Sequence, residues 1–130
     1  MFWCFQCYAV NDRPRGPCAM CGEPVEPPAG LSWTDSLIWA LRHPDGDRAL
    51  LAARTLGRLR ARQSVPALRA AVEAGADVYL RAEALRSLIA IEGADALRPW
   101  LERLSRKAPF SVRDIARKAL DDRPHDDDPA

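Results

Sequence analysis

The chain has 130 residues and sets 19 basic against 18 acidic side chains, for a formal net charge of +1. That balance excludes a chain-wide polyanion binder, and no apolar run approaches the ~18 to 20 residues of a membrane helix. The length gives room for about one domain, to which a small cysteine-bearing head is added.

The head comes first. All four cysteines lie within the first 21 residues, as Cys4-Phe5-Gln6-Cys7 and Cys18-Ala19-Met20-Cys21, with ten residues between the pairs. Each CxxC turn aims two thiolates at one point, and two such turns complete a tetrahedron around Zn²⁺. Two disulfides are the other way to pair four cysteines, but the CxxC spacing in a chain of this length favours metal. Four sulfurs close the coordination sphere, so the expected site at Cys4, Cys7, Cys18 and Cys21 is structural rather than catalytic. Tyr8 to Pro17 is rich in turn formers, which predicts two knuckles joined by a hairpin-like excursion. So few apolar residues are present that the metal must supply much of the folding free energy.

Phe2, Trp3, Phe5 and Tyr8 are four of the nine aromatic residues, more than a knuckle of this size can bury alone. They either pack on the following helix around Trp33, Leu37 and Trp39, or present Trp3 and Phe5 as a stacking or docking face. Residues 23–30, Glu-Pro-Val-Glu-Pro-Pro-Ala-Gly, read as a stiff linker, which ends the head near residue 30.

The pattern Cys-x2-Cys-x3-Asn-x6-Cys-x2-Cys, with Asn11 in the middle, resembles the small zinc fingers of the Ran-binding-protein type. The resemblance covers about 20 residues and implies a four-cysteine zinc site; in that family some members bind single-stranded RNA and others ubiquitin. The chain departs from both ligand patterns, with Asp12 where a base-stacking aromatic belongs and Tyr8-Ala9 where a Thr-Phe pair belongs. Only the metal site carries over.

Residues 31–121 repeat with a period of 32: Ala52, Ala84 and Ala116 fall in register, as do Leu56, Leu88 and Leu120. Thr55, Ser87 and Ala119 are all small, Val65 aligns with Leu97, Leu68 with Trp100, and Val72 with Leu104. Apolar residues within each unit follow i, i+3, i+4, i+7 steps, so each unit is a helical hairpin. Breakers at 43–47, 73–77 and 107–111 mark the joints. The expected helices are 34–43, 47–60, 65–74, 78–91, 95–106 and 111–121, with Ser64, Asp77, Asp95 and Ser111 as N-caps and Pro66 in a first turn.

Val112-Arg113 through Leu120, Leu80-Arg81 through Leu88, and Val65-Pro66-Ala67-Leu68 resemble bacterial HEAT repeats of the short, phycobilisome-lyase-like kind. The resemblance implies an all-α fold, a short HEAT-like α-solenoid of about six helices behind the N-terminal zinc knuckle. It also implies a role as a protein-binding scaffold, or as an accessory subunit of a lyase or other modifying enzyme. The His-Glu pairs of di-iron relatives are missing; the only histidines are His43 and His125. So short an array needs caps at its ends, and the head is expected to cap the first helix.

The period also aligns Arg54, Arg86 and Lys118, and Arg58 belongs to a run from 48 to 69 that holds no acidic residue. Such a stripe suits an acidic partner segment or a phosphate backbone; the alternative is a solvated outer face. Residues 122–130 carry a run of aspartates and no apolar anchor, which predicts a disordered acidic tail. With no nucleophile elbow, phosphate loop or open metal site, the expected protein is a non-catalytic, cytoplasmic scaffold that binds another protein, with nucleic-acid association by finger and arginine stripe as the alternative. A leader pattern of basic residues, apolar run and small-residue cleavage site is not seen in the first residues, which fits that location.

Overall fold

The computed structural model describes residues 1–74 and 77–122; apart from Asp122, the expected acidic tail lies outside the described residues. Among the described residues, six α-helices follow a short two-stranded ribbon. The strands are β1 (Phe2–Trp3) and β2 (Val10–Asn11), and the helices are α1 (Trp33–Ala40), α2 (Gly46–Leu59), α3 (Val65–Ala74), α4 (Val78–Glu92), α5 (Arg98–Lys107) and α6 (Phe110–Asp121). The all-α solenoid with a small knuckle is the observed architecture.

Local chemistry explains most of the boundaries. Ser32, Asp45 and Asp77 cap α1, α2 and α4 by accepting from the N–H groups of Asp35, Asp47 and Tyr79, which satisfies donors that a helix start leaves orphaned. Three expected caps are corrected. Ser64 sits in a 3-10 turn before α3, where its hydroxyl donates to the Ala61 carbonyl instead. Asp95 lies in the turn after Gly93 and pairs with Arg98 at 3.3 Å, so α5 starts later than expected, with Leu97 at its cap position. Ser111 is already inside α6, whose first turn follows Pro109. At Gly93 the backbone has φ of 86°, a value other residues avoid, and this turn ends α4.

The helices form two layers. α2 packs on α4 and α4 on α6, while α1, α3 and α5 each lie on the next helix in the chain. The 32-residue register explains the shared layer, because Ala52, Ala84 and Ala116 are all buried there and small side chains let helices approach closely. Leu56, Leu68, Leu85, Leu88 and Leu101 are fully buried between the layers. The arginine that follows the leading hydrophobe also has a structural task. Arg81 Nε donates to the Val72 carbonyl at 2.8 Å and its Nη2 to Glu73 at 3.4 Å, fastening α4 to the carbonyl end of α3. At the equivalent place in the last unit, Arg113 lies 5.7 Å from the Phe110 ring centroid.

Two seams are closed differently. Between α3 and α5, Trp100 is buried, its Nε1 donates to Glu73 at 3.0 Å, and the Arg69 guanidinium lies 4.5 Å from its ring centroid. Between α2 and α4, Ser87 donates to the Ala53 carbonyl at 2.6 Å, and a Cβ on Gly57 would come within 2.5 Å of Ser87 Oγ and 2.9 Å of its Cα. Helix propensity alone favours alanine over glycine at residue 57 by about 1 kcal/mol, but here the obstacle includes backbone and overpacking costs about 1–3 kcal/mol. Gly57→Ala is therefore expected to destabilise the body in urea titrations, against the direction propensity predicts; a gain in stability would show that α2 and α4 can separate freely.

Candidate metal centre

Both CxxC segments fold as the same turn. Cys4 N–H donates to Ala9 O and Cys18 N–H to Glu23 O, each at 2.8 Å, while Tyr8 N–H returns to Cys4 O and Gly22 N–H to Cys18 O, each at 2.9 Å. The β1–β2 pairing of Phe2 with Asn11 and Trp3 with Val10 and a bridge between Pro17 and Pro24 hold the turns face to face. Four Sγ atoms converge, all within 4.8 Å of one another, and Cys4–Cys21 and Cys7–Cys18 are separated by 3.7 Å. A tetrahedron of ~2.3 Å metal–sulfur bonds has an edge of about 3.8 Å, so the donor set fits one tetrahedral ion. The four sulfurs would supply every ligand, and the ion would tie the turns together.

Asn11 organises the second turn. Its Oδ1 accepts from Ala19 N–H at 3.1 Å, and its Nδ2 donates to Ala9 O at 3.1 Å and to Cys18 Sγ at 3.4 Å. Donors aimed at a sulfur favour its thiolate. The Cys21 N–H, the Asn11 amide and the Met20 N–H together bring the Cys18 thiol down to about 6. At Cys21 the Glu23 N–H works in the same direction, but burial and the three neighbouring sulfurs outweigh it and push the thiol up to about 12. Cys7 is also raised: the Ala9 N–H lowers it, and burial and the Cys18 sulfur more than offset that. One thiol is thus prepared for a cation, which would displace protons from Cys7 and Cys21 into solvent on binding. Val25 completes the head by packing, buried, against Cys4 and Cys18, and the Gly16 N–H donates to Glu26 at 3.0 Å. Residues 23–26, which composition assigns to a linker, are thus built into the finger.

Tyr8 and Gly22 occupy matching positions in the two turns, and both backbones are left-handed, with φ of 65° and 79°. Glycine takes that conformation freely, whereas a tyrosine is strained there. The strained residue makes the main contact between head and helices. Its ring stacks on Trp39 at 4.8 Å and 18°, Phe5 stacks on the same indole at 5.5 Å and 6°, and Trp39 is held between them. Tyr8 hydroxyl donates to the Trp39 carbonyl, and Trp39 Nε1 donates to the Phe5 carbonyl. Burial pushes the Tyr8 phenol up against the weaker pull of Arg42, which keeps it a donor.

Trp3 meets His43 edge-on at 4.5 Å. His43 is only 5 % exposed, and its Nδ1 accepts from Asp45 N–H at 3.0 Å, a bond that requires an unprotonated Nδ1. Burial and then Arg48 lower its basicity, with Asp45 acting weakly in the other direction. The expectation of a cap on α1 is thus met at Trp39, with Leu37 against the main core. Trp33 does not take part: it is 64 % exposed. Trp3 and Phe5, expected as a possible face for a partner, are half-buried in this internal contact.

The expected basic stripe is largely paired. Arg54 and Arg86 share Glu83, at 3.2 and 3.3 Å, and Lys118 pairs with Asp114 at 3.2 Å. These are exposed pairs worth little to stability, but they leave the stripe closer to neutral than the aligned cations alone suggest. Arg58 is exposed. Sequence reasoning placed Tyr8 among the aromatics that pack near Trp39, but it missed the left-handed backbone of Tyr8 and the burial of His43. The first had a visible signal, since Tyr8 and Gly22 each directly follow a CxxC.

A closed four-cysteine knuckle fastened to a two-layer stack of helical hairpins defines an α-solenoid with a cap able to hold a metal ion. HEAT repeats match residues 34–121, well over half of the chain, and the chain belongs to the HEAT-repeat family. No curated protein and no solved structure matches it. No helix among the described residues is long and apolar enough to cross a membrane.

Metal affinity is expected to fall with pH, because protons compete for the sulfurs. Cys7 and Cys21 are raised above 9.0, and Cys18 takes up its proton only near 6, so the slope should steepen below that value. Zinc titrations across that range check this, and a flat profile would mean that the thiols are not the ligands. Tyr8→Gly relieves about 1–2 kcal/mol of backbone strain but removes a stacked ring, its buried surface and a hydrogen bond, together worth more. The variant is expected to keep its metal while the thermal unfolding of the helices, followed by circular dichroism, moves to lower temperature. An unchanged midpoint would show that the head does not stabilise the stack.

Proposed function

We propose that this chain is a non-catalytic, cytoplasmic scaffold that binds another protein through its helical surface, with a single structural Zn²⁺ closing the N-terminal end of the array. The observation that carries the reading is the Trp39 clamp: Phe5 and Tyr8 of the finger face inward onto α1, so the finger acts as a fastening and the helices offer the binding surface. Membership of the HEAT-repeat family supports a protein partner, because stacked helical hairpins present extended surfaces for recognition. The four-sulfur donor set supports zinc, for which such closed tetrahedral sites are the usual structural form. The pairing of Arg54, Arg86 and Lys118 with acids argues for a protein over a nucleic-acid backbone.

Elemental analysis of the purified protein is expected to give one zinc per chain. Affinity purification from the native host, with and without nuclease, should retain a specific protein whose capture survives nuclease treatment. Loss of all partners after nuclease would replace this reading with nucleic-acid association, and capture of no protein would end it.

A further inference from the structure

In the outer layer, α3 and α5 are sealed together by Trp100, but α1 and α3 are not. The 32-residue register puts Leu68 of α3 where α5 has Trp100, and Leu68 is consumed in the core. A groove of about 910 Å³ lies between α1 and α3. Ile38, Trp39 and Leu41 form one wall, and Ala67, Ala70, Ala71 and Ala74 line α3 on the other, with Ala49 and Leu80 also contributing. The four alanines follow i, i+3, i+4, i+7 spacing, so one face of α3 is short enough for another helix to approach closely.

Charge and hydrogen bonding point to what the groove lacks. Arg42 lines it, is exposed, and makes no ion pair among the described residues. Asp77, the acidic group lining it, is engaged in capping α4 through Tyr79 N–H. His43 lines the same groove; with Nδ1 accepting from Asp45, its remaining proton is on Nε2, a buried donor with no hydrogen-bond acceptor among the described residues. An exposed, unpaired guanidinium at an apolar groove calls for an anionic acceptor.

We propose that the α1–α3 groove binds an amphipathic helix of a partner protein, which lays its apolar face on the alanines of α3 and places a carboxylate beside Arg42. This rests on the scaffold reading above and names the site and the partner chemistry. Apolar contact gives the helix its affinity, and the carboxylate sets its register.

A displayed library of helical peptides about 20 residues long, above the length at which isolated helices are marginal, tests the site. Each carries an apolar stripe at i, i+3, i+4, i+7 and random residues beside it. Selection on the full chain loaded with zinc is expected to enrich Asp or Glu at one flanking position. Arg42→Glu should reverse that choice to Lys or Arg, and Ala70→Arg, at an exposed position, should weaken the selected peptides at least about tenfold with the helical content unchanged. Failure to enrich any peptide, enrichment without an acid, or binding that survives Ala70→Arg would overturn the proposal. So would a dimer of the chain alone, seen by sedimentation and abolished by Ala70→Arg, since a second copy would then fill the groove. If a host protein is captured equally by wild type and by Ala70→Arg, the groove is wrong and the scaffold reading stands.

Discussion

The packing of one indole between two aromatic rings of the finger governs how the molecule is assembled. A 130-residue chain with three helical hairpins buries its inner faces well, yet the first hairpin has no neighbour on its outer side. The finger has the opposite problem, a metal site with more aromatic surface than it can enclose. Joining them at Trp39 solves both, because the rings of Phe5 and Tyr8 leave water as α1 gains a cover. Two reciprocal hydrogen bonds, from Tyr8 to the Trp39 backbone and from the Trp39 indole to the Phe5 backbone, give direction to what would otherwise be an unspecific apolar contact.

The clamp also connects the cysteine cluster to the helices. Phe5 lies inside the first CxxC turn and Tyr8 immediately after it, so the sulfurs that define the turn also set the positions of the two rings. Without an ion, four converging sulfurs hold unequal protonation states, with Cys18 low and Cys21 high, and no shared charge to bind them together. A bound metal would therefore act on the first helix through covalent neighbours of its ligands rather than through a long chain of contacts. Trp39 and Tyr8 both line the α1–α3 groove, so the clamp and that surface share two side chains.

Much of this was readable from residue spacing. The CxxC pairs led to the four-sulfur cluster, and the 32-residue register led to the buried Ala52, Ala84 and Ala116 and to helices close to those observed, because periodic burial is written directly into sequence. Caps were harder. Ser64, Asp95 and Ser111 have the right chemistry for a cap, but a 3-10 turn, an ion pair with Arg98 and the stop at Pro109 moved the helix starts away from them. Partnerships across the chain were less accessible still. Nothing local to Arg54 and Arg86 announces that both will meet Glu83, and nothing local to Val25 announces that it will plug the finger. The choice between Trp33 and Trp39 depended on where the finger lands, a matter of tertiary geometry.

The two cysteine turns share their hydrogen bonds so closely that the knuckle is nearly a two-fold object, and an object of that kind could seat on a helix in either of two orientations. Two departures remove the ambiguity. Where one half has Ala19 and Gly22, the other has Phe5 and Tyr8, and only that half can grip an indole. The unfavourable backbone at Tyr8 thus acts as a key that gives a pseudo-symmetric cap a unique way to dock.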